Sequence, residues 1–367
     1  MGEPAGIGPE VIVKALHDPV LRRRARFVIY GMNELLAYAA DLAEFDVFWW
    51  RDAAHGGHPR YYPQDVVVVD YDEHYSMLGS ALRAPSKMGG EASMRFCVDA
   101  IQAAMAGMVD AVVTAPIAKE SWKLAGYGYP GHTELFAERT GARQHAMMFA
   151  GGPIKVVLAT IHVPLLALWN VLNIGAIFRP IELVHKALVE WFDIPAPRIA
   201  VCGLNPHAGE NGQFGDEEDR LIRPAMLMAR DQGINVSGPH PADTVFLKAR
   251  DGHFDAVVSM YHDQGLIPVK LLGFDQSVNL TLGLPIIRTS PDHGTAFDIV
   301  GRNRANPGSM RSAIAMAIDL AVRRQARERQ IMQDSLNQPA DLTAPPTPDP
   351  TADSAPQGIK PPDASAS

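Results

Sequence analysis

Short β-branched runs, each stopped by a turn former and followed by an amphipathic stretch, recur along most of this chain. That alternation restricts the fold most, because it suits strands of a largely parallel sheet joined by crossover helices. Arg26-Phe-Val-Ile-Tyr-Gly31 reads as strand and turn, followed by a helix from about Asn33 to Ala43. Asp65-Val-Val-Val-Val-Asp70 reads as a second strand. Glu91 to Met108 has helical spacing, with Phe96, Ala100 and Met105 expected to face inward. Asp110-Ala-Val-Val-Thr-Ala115 is a strand closed by Pro116, and Met310 to about Met332 carries helical periodicity. The class expected is α/β.

Three further runs each carry a histidine just beyond them. Lys155 to Ile161 precedes His162, Arg198 to Leu204 leads to His207, and Asp255 to Tyr261 precedes His262. In open parallel sheets, ligands bind at the carboxyl ends of strands. Three imidazoles delivered there can converge on one divalent metal and leave a position open for substrate. A lone strand-end histidine is as readily structural or solvent-facing. Three in one topological position favour the metal site.

Composition narrows the class. The 367 residues, 47% hydrophobic and 20% charged, suffice for one large domain or two lobes sharing a cleft. The formal net charge of -8 argues against non-specific nucleic-acid binding. Cys97 and Cys202 each lie in an apolar segment, so buried free thiols in a reducing compartment are expected. No apolar run approaches a membrane span and no signal peptide precedes the first motif, so a cytoplasmic protein without a membrane partner is expected. Asn337 to Ser367 holds eight of the 29 prolines and almost no apolar side chain, which predicts disorder there. Residues 1–332 are expected to form the catalytic unit, with 333–367 as a tail.

Several motifs admit both a structural and a chemical reading. In Met-Gly-Glu-Pro-Ala-Gly-Ile-Gly-Pro-Glu10, glycines permit tight turns and Pro9 suits the first turn of a helix running to Leu16. The motif is neither the dinucleotide fingerprint nor a P-loop. In Gly131-His132-Thr133-Glu134, His132 and Thr133 can contact a substrate anion, or Thr133 can cap a helix. Glu210 and Asp216 are candidates to orient His207. Asp243 is a candidate acid, or caps a helix beginning near Thr244, and Asp263 adjoins His262. Lys270, Asn279 and Arg288 suit a phosphorylated substrate: arginine grips phosphate bidentately and lysine acts as a point charge. Around Asp292-His-Gly-Thr-Ala, Gly294 and Gly301 allow either a turn or close approach to a dinucleotide outside the Rossmann pattern.

Taken together, Gly-Glu-Pro-Ala-Gly-Ile-Gly-Pro-Glu, Gly-His-Thr-Glu, Asn-Pro-His-Ala-Gly-Glu, Gly-Pro-His-Pro-Ala-Asp-Thr, Tyr-His-Asp-Gln-Gly and Arg-Thr-Ser-Pro-Asp-His-Gly-Thr-Ala, in this order, resemble the 4-hydroxythreonine-4-phosphate dehydrogenase family of pyridoxal phosphate biosynthesis. The resemblance runs from Gly2 to about Ile318. It implies two α/β/α lobes around a cleft, like isocitrate and isopropylmalate dehydrogenases, and a homodimer whose metal site draws on both subunits. It implies His162, His207 and His262 as ligands of a divalent metal (zinc, magnesium or cobalt). It also implies substrate contacts from His132, Thr133, Lys270, Asn279 and Arg288. His293, Gly294, Thr295, Ala296 and Asn306 fall in what looks like the nucleotide loop, for NAD or NADP. The implied reaction is oxidation and decarboxylation of 4-phosphooxy-L-threonine to 3-amino-2-oxopropyl phosphate. Asp243 and Asp263 remain candidates for the acid or base.

Family members usually carry a strand just before the first loop, where this chain begins. That implies an upstream extension of about five to eight mostly β-branched residues. Alternatives are a related dehydrogenase acting on threonate or erythronate 4-phosphate or a cyclic diol carboxylate, a metal-dependent hydrolase, and a non-catalytic metal-binding protein.

Overall fold

The computed structural model describes residues 1–52, 64–72 and 83–337. Its N-terminal elements are α1 (Gly8–Leu16), α2 (Pro19–Arg22), β1 (Phe27–Gly31), α3 (Asn33–Leu42), β2 (Trp50–Asp52), β3 (Val66–Asp70), α4 (Lys87–Met105), β4 (Ala111–Val113), α5 (Lys119–Leu124) and α6 (His132–Thr140). There follow β5 (Ala146–Ala150), β6 (Val156–Leu158), α7 (Leu168–Val171), α8 (Ile174–Glu190), β7 (Ile199–Cys202), α9 (Arg223–Asp231), β8 (Val236–His240), α10 (Ala242–Arg250), β9 (Ala256–Ser259), α11 (His262–Gly273), β10 (Val278–Leu282), β11 (Ile287–Pro291) and α12 (Gly308–Asn337). The chain separates into Met1–Ala326 and Arg327–Ser367. Both sheets and every candidate site residue lie in the first unit. Of the tail expected from residue 333, residues 333–337 are instead the end of α12, because helical periodicity carries on past Met332, and residues 338–367 lie outside the described residues.

Each predicted strand and helix is present, with ends shifted by a few residues. Local chemistry explains several boundaries. Ser86 starts α4 by accepting from Gly89 N at 3.0 Å, and Asn173 starts α8 by accepting from Ala176 N at 3.0 Å. Gly141, in the left-handed region at φ 70, ends α6. One expectation fails: Met105 is exposed, not inward. It lies nine residues after Phe96, which places it about half a turn away from the buried face; Ile101 and Ala104 take the inward positions.

β1, β3 and β2 form a three-stranded parallel sheet. The other sheet has eight strands in the order β4-β11-β10-β5-β6-β9-β7-β8. It is mixed, not largely parallel, because β10 runs antiparallel to β11 and β5, and β5 runs antiparallel to β6. The end that matters for the histidines is parallel throughout: β6 pairs with β9, β9 with β7 and β7 with β8.

Both faces of this sheet are covered, so its strands alternate between two cores. Val157 packs with Ile177, Ile181, Val184 and Leu188 of α8. Val156 and Leu158 pack with Val245 of α10 and Leu266 of α11 on the opposite face. α11 lies tightly on β6. A methyl added at Gly265 would stand 2.8 Å from Val156 Cγ1 and 2.8 Å from Leu158 Cδ2. A third core joins α1, α3 and α4 to the small sheet through Val11, Leu36, Phe96 and Val68. Among the described residues no single helix is long and apolar enough to cross a membrane.

Candidate active site

The carboxyl ends of β6, β9 and β7 lie side by side, and the three histidines leave from them in that order: His162, His262, His207. The rings of His162 and His262 are 5.8 Å apart between centroids. A zinc-bound imidazole nitrogen sits about 2 Å from its ion, so rings at this spacing can share one metal. His262 opens α11, and its Nδ1 lies 2.7 Å from Asp263 Oδ1. A carboxylate only accepts, so the proton belongs on Nδ1 and the lone pair on Nε2 is free for a metal. Burial pushes His162 below the ordinary histidine range, helped by the positive charge of Lys119, so it is neutral and able to ligate.

His207 is not drawn into this pair. Its ring lies 6.0 Å from that of Phe214. Among the described residues, no group of three His, Cys, Asp or Glu side chains is close enough to hold an ion. The backbone beneath it is unusual: His207, Ala208, Gly209, Glu210 and Asn211 all have positive φ. For the non-glycine members each such residue costs about 1–2 kcal/mol. Glu218 braces the entry to this turn. Its Oε1 accepts from Leu204 N and Asn205 N, both at 2.8 Å, and its Oε2 accepts from Asn205 Nδ2 at 3.0 Å. Glu218 therefore supports the His207 loop, where Glu210 or Asp216 was expected to do so. Glu210 is exposed, and Asp216 pairs with Arg220 at 3.2 Å.

Arg288 is a buried guanidinium on β11. Its Nε and Nη2 donate to Thr114 Oγ1 at 3.2 and 2.6 Å, and its Nη1 donates to Thr281 Oγ1 at 3.1 Å. Burial pulls its pKa down to about 10. The Phe136 ring lies 5.7 Å from it, on the helix that His132 opens. His132 is edge-on to Trp122 and its Nε2 is buried without a hydrogen-bond partner. Burial first, then Arg288, holds His132 well below the ordinary range, so it is a neutral imidazole with a ring nitrogen to offer. Gly131, not Thr133, occupies the cap of α6, and Thr133 is buried in the first turn.

Lys270 Nζ lies 3.6 Å from Asp292 Oδ2. Burial pushes the Asp292 carboxyl up, against the pull of Lys270, His262 and His293. Asn279 Oδ1 and His293 Nε2 are also buried without partners. Gly294 opens on free space, and Ala296 is left-handed at φ 42. Thr295 O accepts from Ile7 N at 3.0 Å, which ties this loop to the glycine-rich N-terminal turn. Asn306 has a local task, since its Oδ1 accepts from Gly308 N at 2.8 Å at the start of α12. Asp243 is exposed in the first turn of α10, which begins at Ala242; it does not cap that helix.

The chain is matched over residues 23–317 by the family model described as pyridoxal phosphate biosynthetic protein PdxA. The chain belongs to the PdxA family. Among relatives, a 4-hydroxythreonine-4-phosphate dehydrogenase of Desulforapulum autotrophicum is 47% identical over 86% of this chain and 93% of its own length. A D-threonate 4-phosphate dehydrogenase of Salmonella typhimurium is 43% identical over 88% of this chain and 97% of its own. The crystal structure of a 4-hydroxythreonine-4-phosphate dehydrogenase from Klebsiella pneumoniae is similar with a TM-score of 0.77 and 40% identity, covering 88% of this chain and 98% of that one. The family is one of dehydrogenases, which implies a nicotinamide cofactor.

Sequence reasoning missed four groups: Thr114 and Thr281, which hold Arg288, Glu218, which braces the His207 turn, and Asp292, which faces Lys270. None carries a local signal of its role, except that Asp292 lies inside a motif already singled out. A cavity of about 700 Å³ is separate from most of the site. Its walls include Ile12, Ile29, Phe96, Val113 and Ile314, and it meets the site only at Thr114 and His132.

Proposed function

We propose that this protein oxidises and decarboxylates 4-phosphooxy-L-threonine to 3-amino-2-oxopropyl phosphate, using NAD and a divalent metal. The observation that carries the reading is Arg288: a buried guanidinium whose protein partners are hydroxyls calls for an anionic ligand. A phosphate seated there, with neutral His132 beside it, satisfies the charge. Asn279 offers its free Oδ1 to the substrate's amino or hydroxyl group. Lys270 and Asp292 form the pair best suited to exchange a proton with the substrate, ahead of Asp243 and Asp263. When bound, the nicotinamide would accept hydride from the carbon bearing the secondary hydroxyl, and the metal would polarise that carbon's oxygen. His162, His262 and His207 would hold that metal, with Asp263 orienting His262. The open face of Gly294 and the partnerless His293 Nε2 support a dinucleotide against Gly294, Thr295 and Ala296.

The protein acts as a homodimer in the cytoplasm. Leu165, Leu166 and Trp169 are exposed within a few residues of His162, an apolar patch of the kind that marks an interface. A second copy seated there would place the metal site at the dimer boundary.

D-threonate 4-phosphate is the second reading, favoured by the Salmonella relative. The two substrates share the phosphate and differ in the group that faces an acceptor such as Asn279. NADH absorbance with each compound, NAD and a divalent metal separates them. Faster turnover of the threonine compound supports the first reading, and no NADH from either overturns both.

A further inference from the structure

The substrate proposed above carries an anion at each end, a phosphate on one terminal carbon and a carboxylate at the other. Arg288 answers the phosphate. Lys270 is already opposed by Asp292 at 3.6 Å. Lys119 is a further cation in this neighbourhood. It opens α5, five residues after Thr114, the hydroxyl that holds Arg288. A Cβ added at Gly131 would stand 3.7 Å from Lys119 Cε and 3.5 Å from Glu134 Oε2. The lysine stem therefore lies along the residue that caps α6, next to His132. Its charge also reaches His162, where it adds to burial in lowering that imidazole. Lys119 and Glu134 both flank Gly131, yet among the described residues neither makes an ion pair or a side-chain hydrogen bond. An exposed lysine is ordinarily a solvated surface group, but this one stands between the anion pocket and a strand-end histidine with no internal partner to hold it.

We infer that Lys119 is a substrate-binding residue that takes the carboxylate at the end of the substrate remote from the phosphate. The inference rests on the phosphorylated-substrate reading proposed above. It holds for 4-phosphooxy-L-threonine and D-threonate 4-phosphate alike, since both carry that carboxylate. Its physical basis is that an ammonium makes a charge-assisted hydrogen bond to a carboxylate, and a lysine with no internal partner has none to break first. Two cations at a set separation also select length: phosphate on Arg288 and carboxylate on Lys119 stretch the carbon chain so that the secondary hydroxyl lies between them. Gly131, with no side chain, leaves room beside the lysine stem.

The test is calorimetric titration of the full chain, without NAD so that nothing turns over. The ligands are 4-phosphooxy-L-threonine, its decarboxylated product 3-amino-2-oxopropyl phosphate, and inorganic phosphate. Lys119→Met should weaken the first about 10-fold or more and leave the other two unchanged, because they lack the carboxylate. Lys119→Arg keeps the charge and should recover much of the loss. The control is Lys123→Met, an exposed lysine one turn along the same helix, which should bind every ligand like wild type. A loss of equal size in Lys123→Met would reduce the effect to net charge and overturn the inference. Equal losses for all ligands in Lys119→Met would move Lys119 to the phosphate and also overturn it. Wild-type affinity for the substrate in Lys119→Met overturns this inference alone. A wild-type chain that binds none of the ligands overturns it together with the substrate reading.

Discussion

Arg288 Nη2 donates to Thr114 Oγ1 at 2.6 Å, so a fully positive, buried side chain is held by a hydroxyl. Among the described residues no ion pair is made by Arg288. A buried charge without a counter-charge is unfavourable unless a ligand supplies one.

Replacing Arg288 with methionine should therefore discriminate between ligands. A lost charge-assisted hydrogen bond is worth about 1.5–3 kcal/mol, or about 10- to 150-fold in binding. Phosphorylated substrate should weaken by that factor while its unphosphorylated analogue changes little. Calorimetric titration of both ligands checks this, and equal losses would count against a phosphate role.

Chelation should abolish NAD reduction, and zinc, cobalt, manganese or magnesium should restore it to differing extents. His162→Ala and His207→Ala should each lower bound metal, read by elemental analysis, as well as rate. Full activity in metal-free enzyme would refute the metal site.

Stability should fall on the acid side of neutrality. The unfolded chain protonates its histidines near pH 6.5. Folded His132 is held well below that by burial and by Arg288, and His162 is lowered by burial. Below about pH 6.5 the unfolded state binds more protons, so stability drops as pH falls and is regained as pH rises. His132→Phe removes one of these groups. Its unfolding free energy, measured in urea, should depend less on pH between about 7 and 5, and an unchanged slope would contradict the burial argument.

Gly265→Ala should be costly although alanine favours helices. The new methyl would lie 2.8 Å from side-chain carbons of Val156 and Leu158. Overpacking of this kind costs about 1–3 kcal/mol. Because α11 starts at His262, metal affinity should fall along with the thermal midpoint. A variant as stable as wild type would show that α11 has room to move.

Leu166→Asp should disrupt self-association if the apolar patch after His162 is the dimer face. Sedimentation should show a shift toward monomer at a given concentration. An unchanged dimer would place the interface elsewhere.

Much of this molecule was legible in local pattern. Lys155 to Ile161, Arg198 to Leu204 and Asp255 to Tyr261 declare themselves as strands because β-branched residues suit a pleated, buried backbone. A histidine following each one falls at a strand end as a matter of chain geometry. The glycines, prolines and charged residues of the other motifs likewise marked where the loops and the anion-binding candidates lie. What local pattern left open depends on residues far apart in sequence. Met105 has the composition of an inward residue, and only the phase of α4 against its neighbours turns it to solvent. Three strands that all read alike could be ordered in several ways, and the tertiary structure sets them as β6-β9-β7 and brings His162, but not His207, up to His262. Arg288 stands out in sequence at the end of an apolar run, but its partner Thr114, 174 residues away, is set only in the core. Short-range pattern reports what a backbone segment prefers; which side chains meet is decided by packing between segments, and that is where the chemistry of this site resides.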